Sequence, residues 1–314
     1  MMTGLGHEVI LYGGNKNEAA VSEFVPVGKP KNDPLHIPHF DAAEPLFSDF
    51  SLKVIEKMKD RIQPRDFICI IGGAAQQAIA DAFPDNMAVE YGIGYSGVFA
   101  KYKVFESYAW MHMIYGASAE PHSVDGRYYD AVIPNYFDPD EFTYQAEPMG
   151  YYLFLGRMVD RKGWRVAVDV CEELGVPLVL AGHGDPGKLP SNCEYVGAVG
   201  PRDRDRLLGG AIATFTPTSY IEPFCGVHVE SMLCGTPVIT TDWGVFTETV
   251  VPGVGFRCRT RTEFCDATKR ASDLDRWAIS DYARSKFTTG VVAPQYDAYF
   301  RRLMTLWDDG WYTK

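Results

Sequence analysis

The sequence predicts an α/β protein built from two doubly wound, Rossmann-like domains that face each other across a cleft. Apolar runs of strand length, such as residues 67–71 and 177–181, alternate with segments whose apolar residues recur at helical spacing. The alternation comes in two successive blocks, separated by the polar, proline-containing segment 135–142. The length of 314 residues corresponds to about two domains. We therefore expect domains at 1–148 and 149–288, with a last helix in 289–314 that packs back on the first domain.

The first block opens with a strand that follows a glycine-containing turn. Apolar residues at positions 50, 54, 55 and 58 then predict a helix, which Pro64 ends. Gly72 and Gly73 form a turn after the next strand, and Pro134 stops the last strand of the block. The expected strands are 9–12, 67–71, 87–90 and 131–133, and the expected helices are 49–62 and 74–83.

The second block repeats the pattern with clearer ends, because Gly175 and Gly235 each follow a helical segment. Its short continuous apolar runs are typical of strands buried in a parallel sheet. The expected strands are 151–155, 177–181, 193–196, 211–215 and 237–240, and the expected helices are 161–174, 202–209, 227–234 and 291–306.

The composition excludes several functional classes. Apolar residues make up 46% and charged residues 23%, as in globular chains that bury a core rather than in disordered ones. A net charge of −11 without a Lys/Arg block argues against a dedicated nucleic-acid binder, although one basic pocket remains compatible with it. The sequence has no transmembrane segment and no leader pattern, and its seven cysteines include no CxxC pair. We expect a cytoplasmic protein with reduced thiols.

Two glutamates give the strongest chemical signal. Glu222 and Glu230 are separated by seven residues, and Glu222 lies in a loop just before a helix that contains Glu230. A helix start offers free N–H groups and a partial positive charge, which suit a phosphate. Carboxylates beside it suit the hydroxyls of a sugar or ribose. The alternative is that Glu230 is a solvated helix residue and Glu222 a charge favoured by the helix dipole.

Two cations and a histidine follow other strands of the second block. Arg157 comes directly after the strand 151–155, and Lys162 comes five positions later, at the start of a helix. Ligands bind at the carboxyl ends of parallel strands in open α/β sheets, so these cations would neutralise a diphosphate there. His183, in a glycine-rich turn, is a phosphate or hydroxyl contact or a plain loop histidine. The alternative for Lys162 is a surface turn.

Together these motifs resemble the retaining GT-B glycosyltransferases of the group 1 class, glycosyltransferase family four. The resemblance covers about residues 130–250 and comprises four motifs in the same order. They are Gly156-Arg157 with Lys162-Gly163, "LVLAGHGD" at 178–185, "VGAV" at 196–199, and the Glu-x7-Glu segment with "CGTPVI" at 234–239. The segment "VIPNYFDPDEF" at 132–142 resembles the inter-domain hinge of that family.

The resemblance implies roles for individual residues. Arg157 and Lys162 would bind the donor diphosphate and stabilise the leaving nucleotide, and Glu222 would hold donor sugar hydroxyls. Glu230 would hold the ribose hydroxyls. The remaining donor-side residues are the loop residues Gly182 and His183, Val196 and Gly197 of the base pocket, and the backbone N–H groups of Phe224, Cys225 and Gly226.

The first domain is expected to hold the acceptor. A glycine-rich loop at 89–97 and the aromatic segment 105–116 suit a sugar-binding wall. His112 is the candidate for a histidine that the family often places near the donor sugar, with His7, His36, His39 and His122 as competitors. A half-buried histidine among aromatics is the alternative for His112. The acceptor-side candidates are Glu90, Tyr95, Glu106, Tyr108 and His112.

The resemblance therefore implies a retaining, metal-independent glycosyltransferase. It would move a hexose from a UDP- or GDP-linked donor to a hydroxyl of a glycan or other acceptor, with no cofactor. The catalytic candidates are Glu222, His112, Arg157 and Lys162, and the acidic triplets at 138–140 and 203–205 suit a turn and a helix start rather than a metal site. The alternatives are a nucleotide-sugar-binding protein with little transfer activity and a GT-B epimerase or phosphorylase.

The start of the chain carries a separate expectation. The first strand, at 9–12, has the context of a second strand, since the turn before it usually ends a first helix. We expect that a longer parent has a first strand, a glycine-rich loop and most of a helix before this point, about 20–40 residues in all.

Overall fold

The computed structural model describes residues 1–14, 17–28, 45–118 and 127–307, and these form two compact units. The first unit comprises Met1–Glu106, Ile114–Ile133 and Val292–Lys314. The second comprises Ser107–Met113 and Pro134–Val291. Each unit is built on parallel strands with helices between them, so the predicted α/β class with Rossmann-like units is confirmed.

The strands and helices alternate along the chain. The strands are β1 (Ile10–Gly13), β2 (Glu23–Pro26), β3 (Phe67–Ile70), β4 (Met87–Ile93), β5 (Tyr102–Phe105), β6 (Ala131–Val132), β7 (Tyr151–Leu155), β8 (Leu178–Ala181), β9 (Cys193–Tyr195), β10 (Ala211–Thr216), β11 (Val238–Thr241) and β12 (Gly255–Cys258). The α-helices are α1 (Pro45–Met58), α2 (Gln77–Asp81), α3 (Tyr108–Ser118), α4 (Trp164–Leu174), α5 (Pro201–Gly210), α6 (Gly226–Leu233), α7 (Phe246–Thr249), α8 (Arg261–Arg270), α9 (Arg276–Phe287) and α10 (Thr289–Met304).

The first unit contains a four-stranded sheet in the order β3-β4-β5-β6 and a separate parallel pair, β1-β2. Helix α1 covers one face, where its Val54 packs with Val25 of β2 and Ile68 of β3. Helix α10 buries Tyr296 and Leu303 with the β4 and β5 residues of this unit. Among the described residues, no strand pairing joins the β1-β2 pair to the larger sheet.

The predicted helix at 74–83 is shorter than expected. The chain forms a 3₁₀ turn at Gly73–Gln76 and only then the five-residue helix α2. The Gln76 side chain causes part of this difference, because its amide oxygen accepts from the backbone N–H of Gly72 at 3.0 Å. A side chain that folds back on the preceding turn replaces the regular helical pattern there.

The second unit is a six-stranded parallel sheet in the order β12-β11-β10-β7-β8-β9. This is the doubly wound order: β8 and β9 are added on one side of β7, and β10, β11 and β12 are added on its other side. Helices cover both faces, and the two faces have separate cores around Leu153 and Val229 on one side and around Phe154 and Phe215 on the other. The carboxyl ends of β7 and β10 form the topological switch point, where ligands of such sheets bind.

No helix within the described ranges is long and apolar enough to cross a membrane.

Candidate functional site

Two glycines allow the loops at the switch point to approach each other closely. Gly163 follows the turn after β7 and has a φ of +76°. A Cβ on Gly163 would lie 1.9 Å from the carbonyl oxygen of Pro217, which follows β10. A Cβ on Gly182, after β8, would lie 1.9 Å from the carbonyl oxygen of Gly156. The loops after β7, β8 and β10 therefore meet at one edge of the sheet, and only glycine fits at these two contacts.

This edge holds a buried ion pair between two predicted site residues. Nζ of Lys162 donates to both carboxylate oxygens of Glu222, at 2.8 and 3.0 Å. The two side chains are 19% and 7% exposed, so little water competes for them. Burial alone would lower the pKa of Lys162, but the charge of the Glu222 carboxylate and its hydrogen bond to Nζ outweigh burial, and the pKa is raised. Lys162 is therefore a fixed cation at the edge of the sheet.

Tyr220 lies beside this pair, on the loop after β10. Its ring centroid is 5.4 Å from Nζ of Lys162 and 4.9 Å from the guanidinium carbon of Arg161. Burial and the Glu222 carboxylate raise the pKa of Tyr220 to about 12, so the phenol is neutral at physiological pH. The ring adds cation–π contacts that restrict both cations.

The turn into α6 contains a strained residue that a buried histidine holds in place. Cys225, the N-cap of α6, has the left-handed conformation, with φ 65° and ψ 71°. Nδ1 of His228 lies 2.5 Å from the Cys225 carbonyl oxygen, and Nε2 lies 2.8 Å from Oγ1 of Thr249. Because a carbonyl oxygen only accepts, we assign the ring proton to Nδ1. Burial lowers the pKa of His228 to about 4, so the imidazole is neutral.

The start of α6 contains the residues whose backbone N–H groups the sequence assigns to the donor. Phe224 is a core side chain, 1% exposed and stacked 6.4 Å from the ring of Phe137, so its contribution to a ligand is limited to its backbone. Gly226 is the first helical residue, and a Cβ on it would lie 4.0 Å from Oε1 of Glu230. The first N–H groups of a helix have no partner within the helix. The ligand contacts of Phe224, Cys225 and Gly226 stay predictions.

Glu230, the second glutamate, is also paired with a cation. Nη1 of Arg204, on α5, donates to Oε1 of Glu230 at 3.1 Å. The Glu230 side chain is 11% exposed, which excludes the solvated helix residue that was the alternative from the sequence. Burial raises the pKa of Glu230, Arg204 lowers it, and Glu141 raises it. The net shift is upward, so the charge on this carboxylate depends on its cation.

The loops after β8 and β9 are tied to each other. The N–H of Gly182 donates to the carbonyl oxygen of Gly197 at 2.8 Å, and the Tyr195 hydroxyl lies 2.7 Å from the Gly182 oxygen. His183 is half-buried, and its carbonyl oxygen accepts from Met158 in the loop after β7. Val196 is 41% exposed at the same edge. The structure thus brings together the four loop residues that the sequence assigns to the donor, while their contacts with a donor stay predictions.

Arg157 differs from Lys162 in its surroundings among the described residues. It follows β7 directly and is half-buried. Within the part of the chain that the structure describes, no carboxylate lies within ion-pair distance of Arg157. Among the described residues, the site therefore combines a cation paired with a carboxylate, Lys162, and one without such a pair, Arg157.

In the first unit, two acceptor-side candidates are engaged with the protein itself. The carboxylate of Glu90, which is fully buried, accepts from the N–H groups of Phe99 and Ala100 at 2.8 and 2.7 Å and from the Tyr95 hydroxyl at 3.3 Å. Burial raises its pKa, and these hydrogen bonds oppose the rise. Glu90 therefore fixes the 91–100 loop, and the predicted acceptor contacts of Glu90 and Tyr95 stay predictions.

The same loop has a G-x-G-x-x-G spacing at Gly92, Gly94 and Gly97. In dinucleotide-binding turns such a segment opens a helix. Here it leads from β4 into strand β5. The segment is therefore not a dinucleotide-binding turn.

The start of α3 groups with the second unit and is anchored there by Glu248 of α7. Glu248 accepts from the N–H groups of Tyr108 and Ala109 at 2.9 and 2.7 Å. Ser107 donates its hydroxyl to the carbonyl oxygen of Pro223 at 2.7 Å, next to Glu222. These contacts fix the helix that carries His112 to the loop that carries Glu222.

The remaining acceptor-side candidates lie on or next to this helix. Tyr108 and His112 are exposed, with ring centroids 6.3 Å apart, and Glu106 is half-buried just before the helix. An exposed His112 differs from the half-buried alternative that the sequence left open. His36, His39 and His122 lie outside the described residues, and His7 pairs with Asp297 at 2.7 Å.

Sequence reasoning missed several residues of this site. Arg204, Tyr220, Ser107 and Glu248 act through partners that are distant in sequence, so no local spacing identifies them. The hydroxyls of Thr216 and Thr218, at the end of β10, are buried and find no partner among the described residues. The threonines were detectable only as polar residues ending a buried strand at the switch point.

The arrangement has a clear binding chemistry. Arg157, Lys162 and the start of α6 provide positive charge, whereas the buried Glu222 and Glu230 provide acceptors for hydroxyl groups. Such a site suits a ligand that joins phosphate to hydroxyl-bearing rings. Among the described residues, no group of three potential metal ligands is found.

Comparison with known proteins agrees with this chemistry. Residues 142–287 match the family model described as "Glycosyl transferases group 1". A phosphatidyl-myo-inositol mannosyltransferase of Mycobacterium tuberculosis is 33% identical over 137 residues, which cover 37% of this chain and 36% of the relative. The chain thus matches about a third of the length of that curated relative. The resemblance to group 1 glycosyltransferases is confirmed over this region.

Solved structures show the same fold over nearly the whole chain. AviGT4, a glycosyltransferase involved in avilamycin A biosynthesis, superposes with a TM-score of 0.72 at 21% identity, over 97% of this chain and 87% of its own. Sucrose-phosphate synthase from Thermosynechococcus elongatus gives 0.73 at 17% identity, over 96% and 90%. Anabaena HepE in complex with UDP and glucose gives 0.65 at 17% identity, over 82% of both chains.

Proposed function

We propose that this chain, in which residues 142–287 match the group 1 glycosyl transferases, is a glycosyltransferase that uses a nucleotide diphosphate sugar. It transfers a hexose from a UDP- or GDP-linked donor to a hydroxyl of a glycan or other acceptor. The observation that carries the proposal is the buried Lys162–Glu222 pair at the switch point, beside the start of α6. Anabaena HepE, of the same fold, was solved with UDP and glucose, which supports a donor of this class.

Each charged group has a role in this proposal. Arg157 and Lys162 bind the diphosphate and stabilise the negative charge that develops on the leaving nucleotide. Glu222 accepts hydrogen bonds from hydroxyls of the transferred sugar. The N–H groups at the start of α6 donate hydrogen bonds to the nucleotide sugar. Glu230 accepts hydrogen bonds from the ribose hydroxyls. The two cations provide the charge that a divalent metal supplies in other phosphate chemistry, so we propose that transfer needs no metal.

The transfer proceeds with retention by attack on the face from which the nucleotide departs. The bond between C1 of the sugar and the phosphate oxygen breaks, and the acceptor oxygen bonds to C1. The acceptor proton passes to the departing phosphate oxygen. Glu222 is held by Lys162 through both oxygens, which suits a binding role rather than nucleophilic attack. Retention of configuration in the product is the expected result.

A thermal-shift panel of UDP-, GDP- and ADP-sugars tests this function, followed by a hydrolysis and transfer assay with the sugar that binds. We expect one nucleotide class to raise the melting temperature, since a ligand that binds only the folded state stabilises it. Absence of a shift with all three classes would contradict the proposal.

A second candidate is a nucleotide-sugar-binding protein with little transfer activity. The division of the chain favours it, because the four charged residues proposed to bind the donor, Arg157, Lys162, Glu222 and Glu230, all lie in the second unit. Donor binding without hydrolysis or transfer would support this candidate. Turnover with any acceptor would exclude it.

A further inference from the structure

We infer that Arg204 is a positioning residue for the nucleotide end of the site, which keeps the Glu230 carboxylate charged and oriented to accept ribose hydroxyls. The inference rests on the proposed function, in which Glu230 binds the ribose. It adds a residue on a different helix, α5, whose part in the site no motif of the sequence indicates.

The guanidinium of Arg204 is restricted on three sides. Its Nη1 lies 3.1 Å from Oε1 of Glu230, and its Nη2 lies 3.6 Å from Oε2 of Glu141. Its central carbon lies 5.4 Å from the ring centroid of Phe142. A cation with two carboxylates and an aromatic ring around it has one preferred orientation. Arg204 thus presents a fixed donor to Glu230.

The pairing leaves Glu230 with capacity for a ligand. A carboxylate has two oxygens with about four acceptor positions, and Arg204 occupies one of them on Oε1. Among the described residues, no hydrogen bond to Oε2 of Glu230 is found. A Cβ on Gly226 would lie 4.0 Å from Oε1, so the carboxylate lies over the first turn of α6. Two neighbouring hydroxyls next to a phosphate, as in a ribonucleotide, match this arrangement.

The electrostatic surroundings make Glu230 dependent on Arg204. Burial raises the pKa of Glu230, and Glu141 raises it further, whereas Arg204 lowers it. Within the described ranges, the other titratable groups that interact with Glu230 are the thiols of Cys225 and Cys234, whose pKa values are also raised, so they are neutral. Without Arg204, the carboxyl would take up a proton at higher pH. A protonated carboxyl has fewer acceptor positions for hydroxyls.

Calorimetric titration of Arg204→Met with UDP and GDP, from pH 6 to pH 8, tests the inference. We expect the nucleotide affinity of Arg204→Met relative to wild type to fall as the pH falls. Below the pKa of Glu230 in this variant, the fall should be up to about tenfold per pH unit. The ratio to wild type cancels titration of the nucleotide itself. Arg206→Met is the matched control, because Arg206 lies on the same helix, and its ion pair among the described residues is with exposed Asp203 at 3.6 Å.

Three further measurements distinguish positioning from a structural role. The loss in Arg204→Met should be smaller for the 2′-deoxynucleotide, which lacks one hydroxyl, whereas structural damage would weaken both ligands equally. In a Glu230→Gln background, Arg204→Met should add no pH dependence, since the amide does not titrate. Arg204→Lys keeps the charge and should retain the wild-type pH profile, even if Arg204→Met folds poorly.

The outcomes separate the inference from the function on which it rests. If the wild type binds neither nucleotide, the proposed function fails and the inference fails with it. If the wild type binds and the affinity of Arg204→Met relative to wild type does not fall with falling pH, or Arg204→Lys loses the wild-type pH profile, the inference alone is overturned. Equal losses for ribo- and deoxynucleotide would also overturn it.

Discussion

Replacement of Gly163 by alanine should destabilise the second unit and impair the site together. The new Cβ would lie 1.9 Å from the Pro217 oxygen, against the 3.0 Å below which such contacts essentially do not occur. The loops after β7 and β10 must therefore separate by about 1.1 Å, the difference between these distances. Overpacking of this kind costs about 1–3 kcal/mol, and the left-handed conformation adds about 1–2 kcal/mol for a residue with a Cβ. We expect a loss of about 2–5 kcal/mol in the free energy of unfolding.

Gly175→Ala is the matched control. Gly175 has a φ of +63° and would place its Cβ with nothing within 4 Å, so it bears only the conformational cost of about 1–2 kcal/mol. Urea unfolding measures both variants, and a sugar-transfer assay measures the site. Because Lys162 adjoins Gly163, a shift of about 1 Å should lower turnover by about 100-fold in Gly163→Ala alone. Equal unfolding free energies and equal turnover in the two variants would refute this reasoning.

Two other perturbations have defined outcomes. The pKa of His228 is about 4 in the folded protein against 6.5 for the free side chain, so the unfolded chain takes up the proton first as the pH falls. The stability that neutral His228 contributes is complete above about pH 6.5 and is lost as the pH falls towards 4, by up to about 3 kcal/mol. His228→Asn should flatten this part of a plot of unfolding free energy against pH. Glu230→Gln should mainly weaken the affinity for free nucleotide, whereas Glu222→Gln should mainly lower turnover, because it addresses the sugar that reacts. Equal losses of nucleotide affinity in calorimetry would contradict that division.

The second unit was predictable because its signals are local. The strand β7 matches its predicted bounds, and Gly175 and Gly235 follow α4 and the Cys234 C-cap of α6 as the sequence indicates. Strands buried in a parallel sheet are continuous apolar runs, and glycine stops a helix through its left-handed conformation. Strand β12 was missed because it is a short edge strand in which one of four residues is buried.

The first unit was harder to predict because its strands carry polar residues or pair weakly. Strand β5 contains the buried Lys103, which interrupts the apolar run. Strand β2 ends in Pro26 and has one buried residue. Burial of Lys103 depends on neighbours such as Asp130, which oppose the lowering of its pKa by burial. A charge that tertiary contacts accommodate leaves no pattern in a short sequence window.

The candidate site was predictable in its types of residue but not in its pairings. Glu222, Glu230, Arg157 and Lys162 could be found from spacing and strand ends. Their electrostatic partners could not, because Arg204 meets Glu230 across two helices and Lys162 meets Glu222 across two loops. Such contacts depend on the strand order, which a spacing along the chain does not specify.

The central claim is that Arg157 and Lys162 together form one anion-binding site for a nucleotide diphosphate. Calorimetry of three alanine variants tests it most directly. Arg157→Ala and Lys162→Ala should each weaken nucleotide diphosphate binding by about 1.5–3 kcal/mol, the range for hydrogen bonds to charged groups. Arg165→Ala is the control, since Arg165 is exposed and pairs with Asp160 at 3.1 Å. It should bind like the wild type. If Arg157→Ala and Lys162→Ala also bind like the wild type, the donor site lies elsewhere and the account is contradicted.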